Sequence, residues 1–282
     1  MPISSCCVQT FTWDGTPAGK ETTLASNPAY VTGTNKDAAV LIIHDLLGWK
    51  YNNVRLLADH YAREADVTVF VPDFFDGWTV DWDLVEQERW AELLPKLAEE
   101  KFAENNAREV RAPDIEACAR VLKAEGANGE GAGKGWGFKR VGAVGFCYGG
   151  WAVAHLGSRE REEKKNNDNN NNNNDADNRG EGKKLVDAIS MGHPTFLTRE
   201  DVDKLAVPIQ ILAPEFDEQF TPDFKRYTFD KLLQLNLPFE YVHFPGVKHG
   251  CLVRGRGDVP REREAMAQAK NSVVAWFKMH LH

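Results

Sequence analysis

Short apolar segments alternate with amphipathic segments along most of the chain. Six stretches rich in apolar residues end in, or are followed by, polar or turn-forming residues. They are at 38–45, 67–73, 140–147, 185–192, 208–213 and 239–244. Apolar runs of this length are typical of strands that are buried on both faces of a sheet. After the first of them, apolar residues recur at helical spacing, at Val54, Leu57, Ala58 and Tyr61. The pattern therefore predicts strands that alternate with helices.

Helices are predicted between these strands, at 53–64, 82–107, 148–156 and 221–235, with a last helix from about residue 260. Pro113 is expected to open a further helix, because proline is favoured at the first helical position. Strands separated by helices imply a mostly parallel central sheet with helices on both faces. The sequence thus predicts one α/β domain over residues 1–282, with its ligand site beyond the carboxyl ends of the strands.

One segment departs from this alternation. Residues 158–184 are dominated by Asn and charged residues and carry almost no apolar side chains. Such a segment cannot bury enough surface to offset the entropy that it loses on ordering. It is predicted to be a disordered surface insertion between a helix and the next strand.

The net charge and the cysteine content limit which binding partners and which cellular compartment are expected. The net charge of −8 argues against nucleic acid or an anionic membrane as the main partner. No apolar run approaches the roughly 20 residues of a membrane span, and the N-terminus lacks a secretory pattern. The five cysteines are scattered and odd in number, which suits a reducing cytosol better than a disulfide framework. We therefore expect a cytoplasmic protein, and the absence of CxxC and HExxH gives no support to a metal site.

The segment 145–150, GFCYGG, follows a predicted buried strand and precedes a predicted helix. This is the glycine–x–nucleophile–x–glycine arrangement of a sharp strand-to-helix bend, with Cys147 as the nucleophile. Glycines are needed there because larger side chains would clash across the bend. The bend also brings the sulfur near a helix N-terminus, which favours the thiolate. We interpret Cys147 as a catalytic nucleophile; a structural cysteine in a glycine-rich turn is the alternative.

A thiol nucleophile needs a base and an acid that orients the base. His249 lies in a short loop between the last strand and the final helix, and Asp217 follows the preceding strand. The order Cys147, Asp217, His249 is that of nucleophile, acid and base in α/β-hydrolases. We predict that these residues form a catalytic triad, with Glu215 and Glu218 as alternative acids.

Further residues are expected around this triad. The backbone N–H groups of Tyr148 and Leu46 are the candidate oxyanion donors. Asp45 ends the same strand that precedes Leu46, and it either contacts the thiol or caps the segment that follows. Trp49 is expected in an apolar wall of the pocket, or alternatively in the core. His193 is expected to have a shaping or packing role.

Together these motifs resemble those of the dienelactone hydrolase family. The matching segments are 44–49 (HDLLGW), 55–59 (RLLAD), 71–77 (VPDFFDG), 145–150 (GFCYGG), 192–194 (GHP) and 248–251 (KHGC). The N-terminal SSCC at 4–7 is similar to that of the eukaryotic branch. The resemblance implies an α/β-hydrolase fold and a triad of Cys147, His249 and Asp217. It also implies that an enol lactone is opened through a covalent thioester without a cofactor.

The resemblance extends to positions that bind substrate or hold the thiol. Well-described bacterial members have Glu at the position of Asp45, where it keeps the thiol poised until substrate arrives. They bind a substrate carboxylate with two arginines, for which Arg254 and Arg89 are the candidates. The expected partner is thus a small ester or lactone. A broader carboxylesterase or thioesterase, and a non-catalytic binding protein on the same scaffold, are the alternatives.

Overall fold

A mostly parallel sheet forms the centre of the fold. The structure, a computed structural model, describes residues 11–124, 135–158 and 184–282. Its eight strands are β1 (Lys20–Leu24), β2 (Asn27–Thr32), β3 (Ala38–Ile43), β4 (Thr68–Pro72), β5 (Arg140–Phe146), β6 (Ala188–Gly192), β7 (Ile209–Phe216) and β8 (Phe239–Lys248). Their order across the sheet is β1-β2-β4-β3-β5-β6-β7-β8. The β1–β2 and β2–β4 pairs are antiparallel, and the other neighbours are parallel.

Helices connect and flank these strands. In the described ranges they are α1 (Asn52–Ala65), α2 (Trp82–Glu86), α3 (Trp90–Glu99), α4 (Phe102–Asn105), α5 (Arg108–Lys123), α6 (Gly149–Leu156), α7 (Arg199–Asp203), α8 (Pro222–Leu235), α9 (Cys251–Arg254) and α10 (Pro260–Leu281). Helices α1 and α10 pack together, and α6 packs against α5 and α7. The predicted alternation of strands and helices is confirmed.

Both faces of the sheet are covered. On β5, a Cβ at Gly142 would lie 2.5 Å from the ring of Phe277 in α10, and one at Gly145 would lie 3.0 Å from Val153 in α6. Residues an odd number apart on a strand point to opposite faces. Helices α6 and α10 therefore lie on opposite faces, which explains why β3 and β4 are buried along their whole length.

The apolar pattern did not predict the β1–β2 hairpin. Strand β1 is the edge of the sheet, and its first two residues, Lys20 and Glu21, are exposed. Because a short edge strand needs few apolar residues, it leaves little hydrophobic signal in the sequence. Elsewhere the differences concern strand bounds, since β6 begins later than the predicted 185 and β7 extends past 213 to Phe216.

The single helix predicted over 82–107 is wrong. This segment contains three short helices, and Glu88 and Lys101 between them adopt left-handed backbone angles with φ of 55° and 52°. The prediction that Pro113 opens a helix is also wrong, because α5 begins at Arg108 and contains Pro113. Pro113 is exposed and so is Glu109, four residues earlier, so the carbonyl that proline leaves without its helical partner faces solvent.

The predicted disordered insertion lies almost wholly outside the described residues. Of its ends, Ser158 forms an isolated bridge with Leu205, and Lys184 is exposed. The extent of the domain over residues 1–282 stays a prediction. Among the described helices, none combines the length and the apolar character that crossing a membrane requires.

Candidate active site

Cys147 lies on the sharp bend between β5 and α6. Its φ is 50°, in the left-handed region that is uncommon for residues other than glycine. A Cβ at Gly145 would lie 2.2 Å from the carbonyl oxygen of Gly149, and a Cβ at Gly149 would lie 2.2 Å from that of Ile43. Both glycines are therefore required for the bend to fit against β3, as the GFCYGG pattern predicts.

The end of β6 and the loop that follows it hold Cys147 from the other side. The backbone N–H of Cys147 donates to the carbonyl of Gly192 at 3.1 Å, and its carbonyl accepts from the N–H of Thr195 at 2.8 Å. A Cβ at Gly150 would lie 2.3 Å from Cβ of Pro194, so this loop passes directly over the start of α6. The Cys147 bend is therefore fixed by two sequence-distant backbone bonds.

Asp217 and His249 come together because they follow neighbouring strands. Phe216 pairs with Lys248 at the ends of β7 and β8, and the N–H of His249 donates to the carbonyl of Phe216 at 2.9 Å. The next side chains meet, with Nδ1 of His249 3.0 Å from Oδ1 of Asp217. Both side chains are almost fully buried, at 1% and 0% exposure. A buried carboxylate at Nδ1 orients the imidazole ring. Proton transfer by the ring would then take place at its other nitrogen, Nε2.

The same carboxylate is held by the loop that carries it. Oδ1 of Asp217 accepts from the backbone N–H groups of Gln219 and Phe220, each at 2.9 Å. The alternative acids have other surroundings. Glu215 is exposed and accepts from the N–H of Gly246 at 2.7 Å, and Glu218 is exposed. Of the three acids that the sequence offered, Asp217 is the one with a hydrogen bond to His249.

His193 links the two halves of the site. Its ring is fully buried and packs edge-on against His249, with centroids 4.8 Å apart. On its other side the ring of Phe146, which precedes Cys147, lies 5.7 Å away. His193 thus packs between the strand that leads to the thiol and the loop that carries the base, in agreement with a shaping role.

His44 is buried at the end of β3. Its Nδ1 lies 2.8 Å from the carbonyl of Asp45, and Nε2 accepts from the N–H of Phe74 at 3.2 Å. This arrangement requires the neutral ring with its proton on Nδ1. Burial lowers the pKa of His44, which also favours the neutral form. Both nitrogens are therefore used to hold the turns after β3 and β4.

Asp45 and Arg254 form a buried ion pair beside the site. Oδ2 of Asp45 lies 3.1 Å from Nε of Arg254, and their side chains are 5% and 1% exposed. Oδ1 of Asp45 accepts from the N–H of Leu47 at 2.9 Å, which is the capping contact that the sequence left open. A Cβ at Gly250 would lie 2.5 Å from the Arg254 guanidinium, so the arginine packs directly against the residue after His249.

The candidate oxyanion donors lie in the turns after β3 and β5. Leu46 and Tyr148 are both buried. Within the described part of the chain, neither backbone N–H group donates to a protein acceptor. The phenol of Tyr148 donates to the carbonyl of Asn106 at 2.9 Å, and its ring packs 5.0 Å from Phe75. The segment that contains α2 to α4 is therefore attached to the residue after Cys147.

The remaining two predicted residues lie in different surroundings. Trp49 is buried in the turn before α1, with the Arg55 guanidinium 4.9 Å from its ring centroid. Arg89 is exposed between α2 and α3, and its Nε donates to Glu92 at 2.7 Å. The contacts of Arg89 are with its own segment, so the fold does not bring it to the other site residues.

One contact at the sulfur was not predicted. Oγ1 of Thr195 lies 3.4 Å from Sγ of Cys147, and both residues are buried. The sequence signal was its place directly after the 192–194 GHP motif. The other two described cysteines, Cys118 and Cys251, are buried thiols whose pKa is raised to about 12 by burial. No group of three or more potential metal-ligating side chains occurs in the described ranges.

The chain is similar to known proteins along most of its length. The model of the dienelactone hydrolase family matches residues 27–166 and 180–281 of the chain. A hydrolase of Talaromyces stipitatus, Hydrolase tropI, is 26% identical over 289 residues, which cover 100% of this chain and 98% of the relative. The human carboxymethylenebutenolidase homolog is 25% identical over 266 residues, which cover 93% of this chain and 91% of the relative.

Solved structures support the fold. Dienelactone hydrolase from Anabaena variabilis superposes with a TM-score of 0.59 at 14% identity, covering 94% of this chain and 97% of that one. An esterase of Thermogutta terrifontis with bound propionate gives a TM-score of 0.57 at 13% identity, covering 92% and 94%. The predicted α/β-hydrolase fold is confirmed by these likenesses.

Proposed function

The chain belongs to the dienelactone hydrolase family and is a hydrolase of carboxylic ester bonds, and from this premise we propose that it cleaves small esters or lactones through a thioester on Cys147. One observation carries the proposal. The left-handed Cys147 bend and the buried Asp217–His249 pair lie at the same edge of the sheet. The contact of His193 with both Phe146 and His249 connects them.

In the first half-reaction the Cys147 thiolate attacks the carbonyl carbon and a C–S bond forms. The carbonyl electron pair moves onto oxygen, where the N–H groups of Tyr148 and Leu46 stabilise the charge. The thiol proton has passed to Nε2 of His249, and the imidazolium is stabilised by Asp217. When the intermediate collapses, the C–O bond breaks and the leaving oxygen takes that proton. A lactone then stays attached as a single acyl chain, whereas an ester releases its alcohol.

In the second half-reaction a water molecule replaces the alcohol. His249 removes a proton from the water as its oxygen attacks the thioester carbon. The C–S bond breaks, the carboxylic acid leaves, and the proton returns to restore the resting thiol and imidazole pair. The reaction consumes one water for each ester bond, and no step needs an oxidant, a metal or a cofactor.

The surroundings of Asp45 and Arg254 bear on the choice of substrate. The positive charge of Arg254 is balanced by a carboxylate of the same protein, at 3.1 Å. An uncharged ester or lactone can therefore bind beside it without leaving a buried charge unpaired. We propose a small, uncharged ester or lactone as the substrate. The cytoplasmic location inferred from the cysteine content stays a prediction.

The test compares wild type with Cys147→Ala on a p-nitrophenyl ester. Losing the nucleophile should lower kcat by about 10⁴-fold or more. Cys118→Ala is a matched control, because Cys118 is also a fully buried thiol but lies in α5. Acid quenching during turnover, followed by mass spectrometry, should find the acyl group on the peptide that contains Cys147. Full activity in Cys147→Ala, or an acyl group on another residue, would overturn the proposal.

A panel of substrates then separates the alternatives. Lactones, short acyl esters and acyl thioesters are assayed with wild type and with Cys147→Ala side by side. A higher kcat/KM on lactones than on open-chain esters supports lactone hydrolysis as the main activity. Equal values across the panel favour a broader esterase, and no Cys147-dependent turnover on any member favours a binding protein.

A further inference from the structure

The last residue of β6 and the loop that follows it make three contacts with Cys147. Two are the backbone bonds with Gly192 and Thr195, at 3.1 and 2.8 Å. The third is the approach of the Thr195 hydroxyl to the sulfur, at 3.4 Å. One short segment thus fixes the N–H, the carbonyl and the side chain of the proposed nucleophile.

The loop itself is held firmly in place. The N–H of His193 donates to the carbonyl of Leu212 at 3.0 Å, and Arg108 donates to the carbonyl of Phe196 at 3.1 Å. His193 and Phe196 have φ of 37° and 59°, so the chain makes two sharp bends on either side of Thr195. Because both bends are anchored to other elements, the backbone of Thr195 is held beside the sulfur.

The surroundings of the Thr195 hydroxyl indicate which hydrogen bond it forms. Thr195 is 2% exposed, and within the described part of the chain the Cys147 sulfur is the hydrogen-bond partner of Oγ1. A buried hydroxyl without a partner is costly, and an O–H group is a better donor than a thiol. Either group can donate while the sulfur is protonated. Once the sulfur is a thiolate, only the hydroxyl has a proton to donate.

We propose that the Thr195 hydroxyl donates a hydrogen bond to the Cys147 thiolate and thereby lowers the free energy of the reactive form. This inference rests on the proposed function, in which Cys147 is the nucleophile. The thiol proton goes to His249, and Thr195 keeps its own proton throughout. Hydrogen bonds to charged groups are stronger than neutral ones, so the contact favours the thiolate over the thiol.

Other charged or titratable side chains are buried at the same end of the sheet. They are His44, Asp45, Asp73, His193, Asp217, His249 and Arg254. A substitution at Thr195 leaves all of them in place. A change in thiol reactivity in such a variant therefore reports on the hydroxyl itself.

The test is the pH dependence of Cys147 alkylation by iodoacetamide, followed on the Cys147 peptide by mass spectrometry. Thr195→Val removes the hydroxyl and keeps the size of the side chain. The rate at neutral pH should fall about tenfold, with the apparent pKa of the thiol shifted upward by about one unit. Thr195→Ser keeps a hydroxyl and should stay close to wild type. With a p-nitrophenyl ester, Thr195→Val should lower kcat/KM for acylation by a similar factor.

Thr68→Val is the matched control. Thr68 is a buried threonine whose hydroxyl donates to the carbonyl of Asn35 at 2.6 Å, at the start of β4. The Thr68→Val variant should lose stability without a change in the Cys147 alkylation profile. If Thr195→Val is too unstable to study, Thr195→Ala is compared with Thr195→Ser by the same readout.

Superimposable alkylation profiles for wild type and a folded variant without the hydroxyl would overturn this inference. That result is independent of the proposed function, which fails if Cys147→Ala keeps full esterase activity or if the acyl group is found on another residue. Alkylation reports on the sulfur whether or not the sulfur attacks an ester. The two failures are therefore distinguishable.

Discussion

Two buried pairs of a carboxylate and a basic side chain lie at the same edge of the sheet, and they differ in what they can do. Asp217 contacts His249 at 3.0 Å, and Asp45 contacts Arg254 at 3.1 Å. The side chains of both pairs are at most 5% exposed. Histidine gains and loses a proton near neutral pH, whereas arginine stays charged at every pH that a protein experiences.

The comparison shows that burial alone does not identify a catalytic pair. The Asp217–His249 pair joins the loops after β7 and β8 and presents a group that can accept a proton. The Asp45–Arg254 pair joins the turn after β3 to α9 and holds a fixed charge. We therefore expect breakage of the first pair to lower activity, and breakage of the second to lower stability.

The largest effect is expected at the histidine pair. Asp217→Asn keeps the shape of the side chain, but its amide can present a donor to Nδ1 and favour the wrong tautomer of His249. The value of kcat/KM should fall on the order of 10⁴-fold, measured on a p-nitrophenyl ester. Glu215→Gln, at the exposed acid near the end of β7, is the control and should retain activity. Activity in Asp217→Asn similar to that of Glu215→Gln would exclude Asp217 from the proposed triad.

The next effect is expected at the arginine pair. Asp45→Ala leaves the Arg254 guanidinium buried without its counter-charge, which should cost about 3–5 kcal/mol in the free energy of unfolding. Urea denaturation measures this loss. The double variant Asp45→Leu with Arg254→Met removes both charges and should recover much of the stability. An unchanged urea midpoint in Asp45→Ala would show that the pair does not stabilise the fold.

A third pair, between Glu64 and Lys270, is partly exposed and extends the comparison toward the surface. Burial raises the pKa of Glu64, but hydrogen bonds from Lys270 and His60 outweigh it and hold the pKa at about 2. A carboxyl whose folded pKa is depressed binds protons more readily when unfolded. Its contribution to stability is therefore complete above about pH 4.3, the unfolded value, and is lost as the pH falls toward 2.

The measurement is the free energy of unfolding against pH for wild type and for Glu64→Gln. The difference between the two proteins should be constant near neutral pH and should shrink below about pH 4.3. A difference that stays the same down to pH 2.5 would contradict the assignment of the low pKa to Glu64.

The smallest effect is expected at Arg89, whose pair with Glu92 is exposed on both sides. Surface ion pairs contribute little, so Arg89→Ala should change Tm by less than about 2 °C. The kinetic test uses a lactone that carries a carboxylate. An unchanged KM would agree with the surface position of Arg89, and a raised KM would restore it as a substrate-binding residue.

Local pattern was sufficient for most of the sheet and for the position of the proposed nucleophile. Strands β3 to β8 are recognisable in the sequence as apolar runs, because most of them are covered on both faces. The exposed edge strand β1 has no such run. The glycines around Cys147 indicate the bend because each one is required by a backbone contact, at 2.2 Å for Gly145 and Gly149. These features depend on neighbours in sequence or on burial, which composition reflects directly.

The tertiary structure decided which side chains meet. Asp217 rather than Glu215 contacts His249 because the register of β7 and β8 pairs Phe216 with Lys248. Thr195 reaches Cys147, and Asp45 reaches Arg254, across contacts between loops far apart in sequence. Such contacts depend on strand register and on the path of each loop, which no local pattern of residues encodes. The amino-acid pattern therefore indicates which edge of the sheet carries the proposed site, and the packing of the loops determines which side chains meet there.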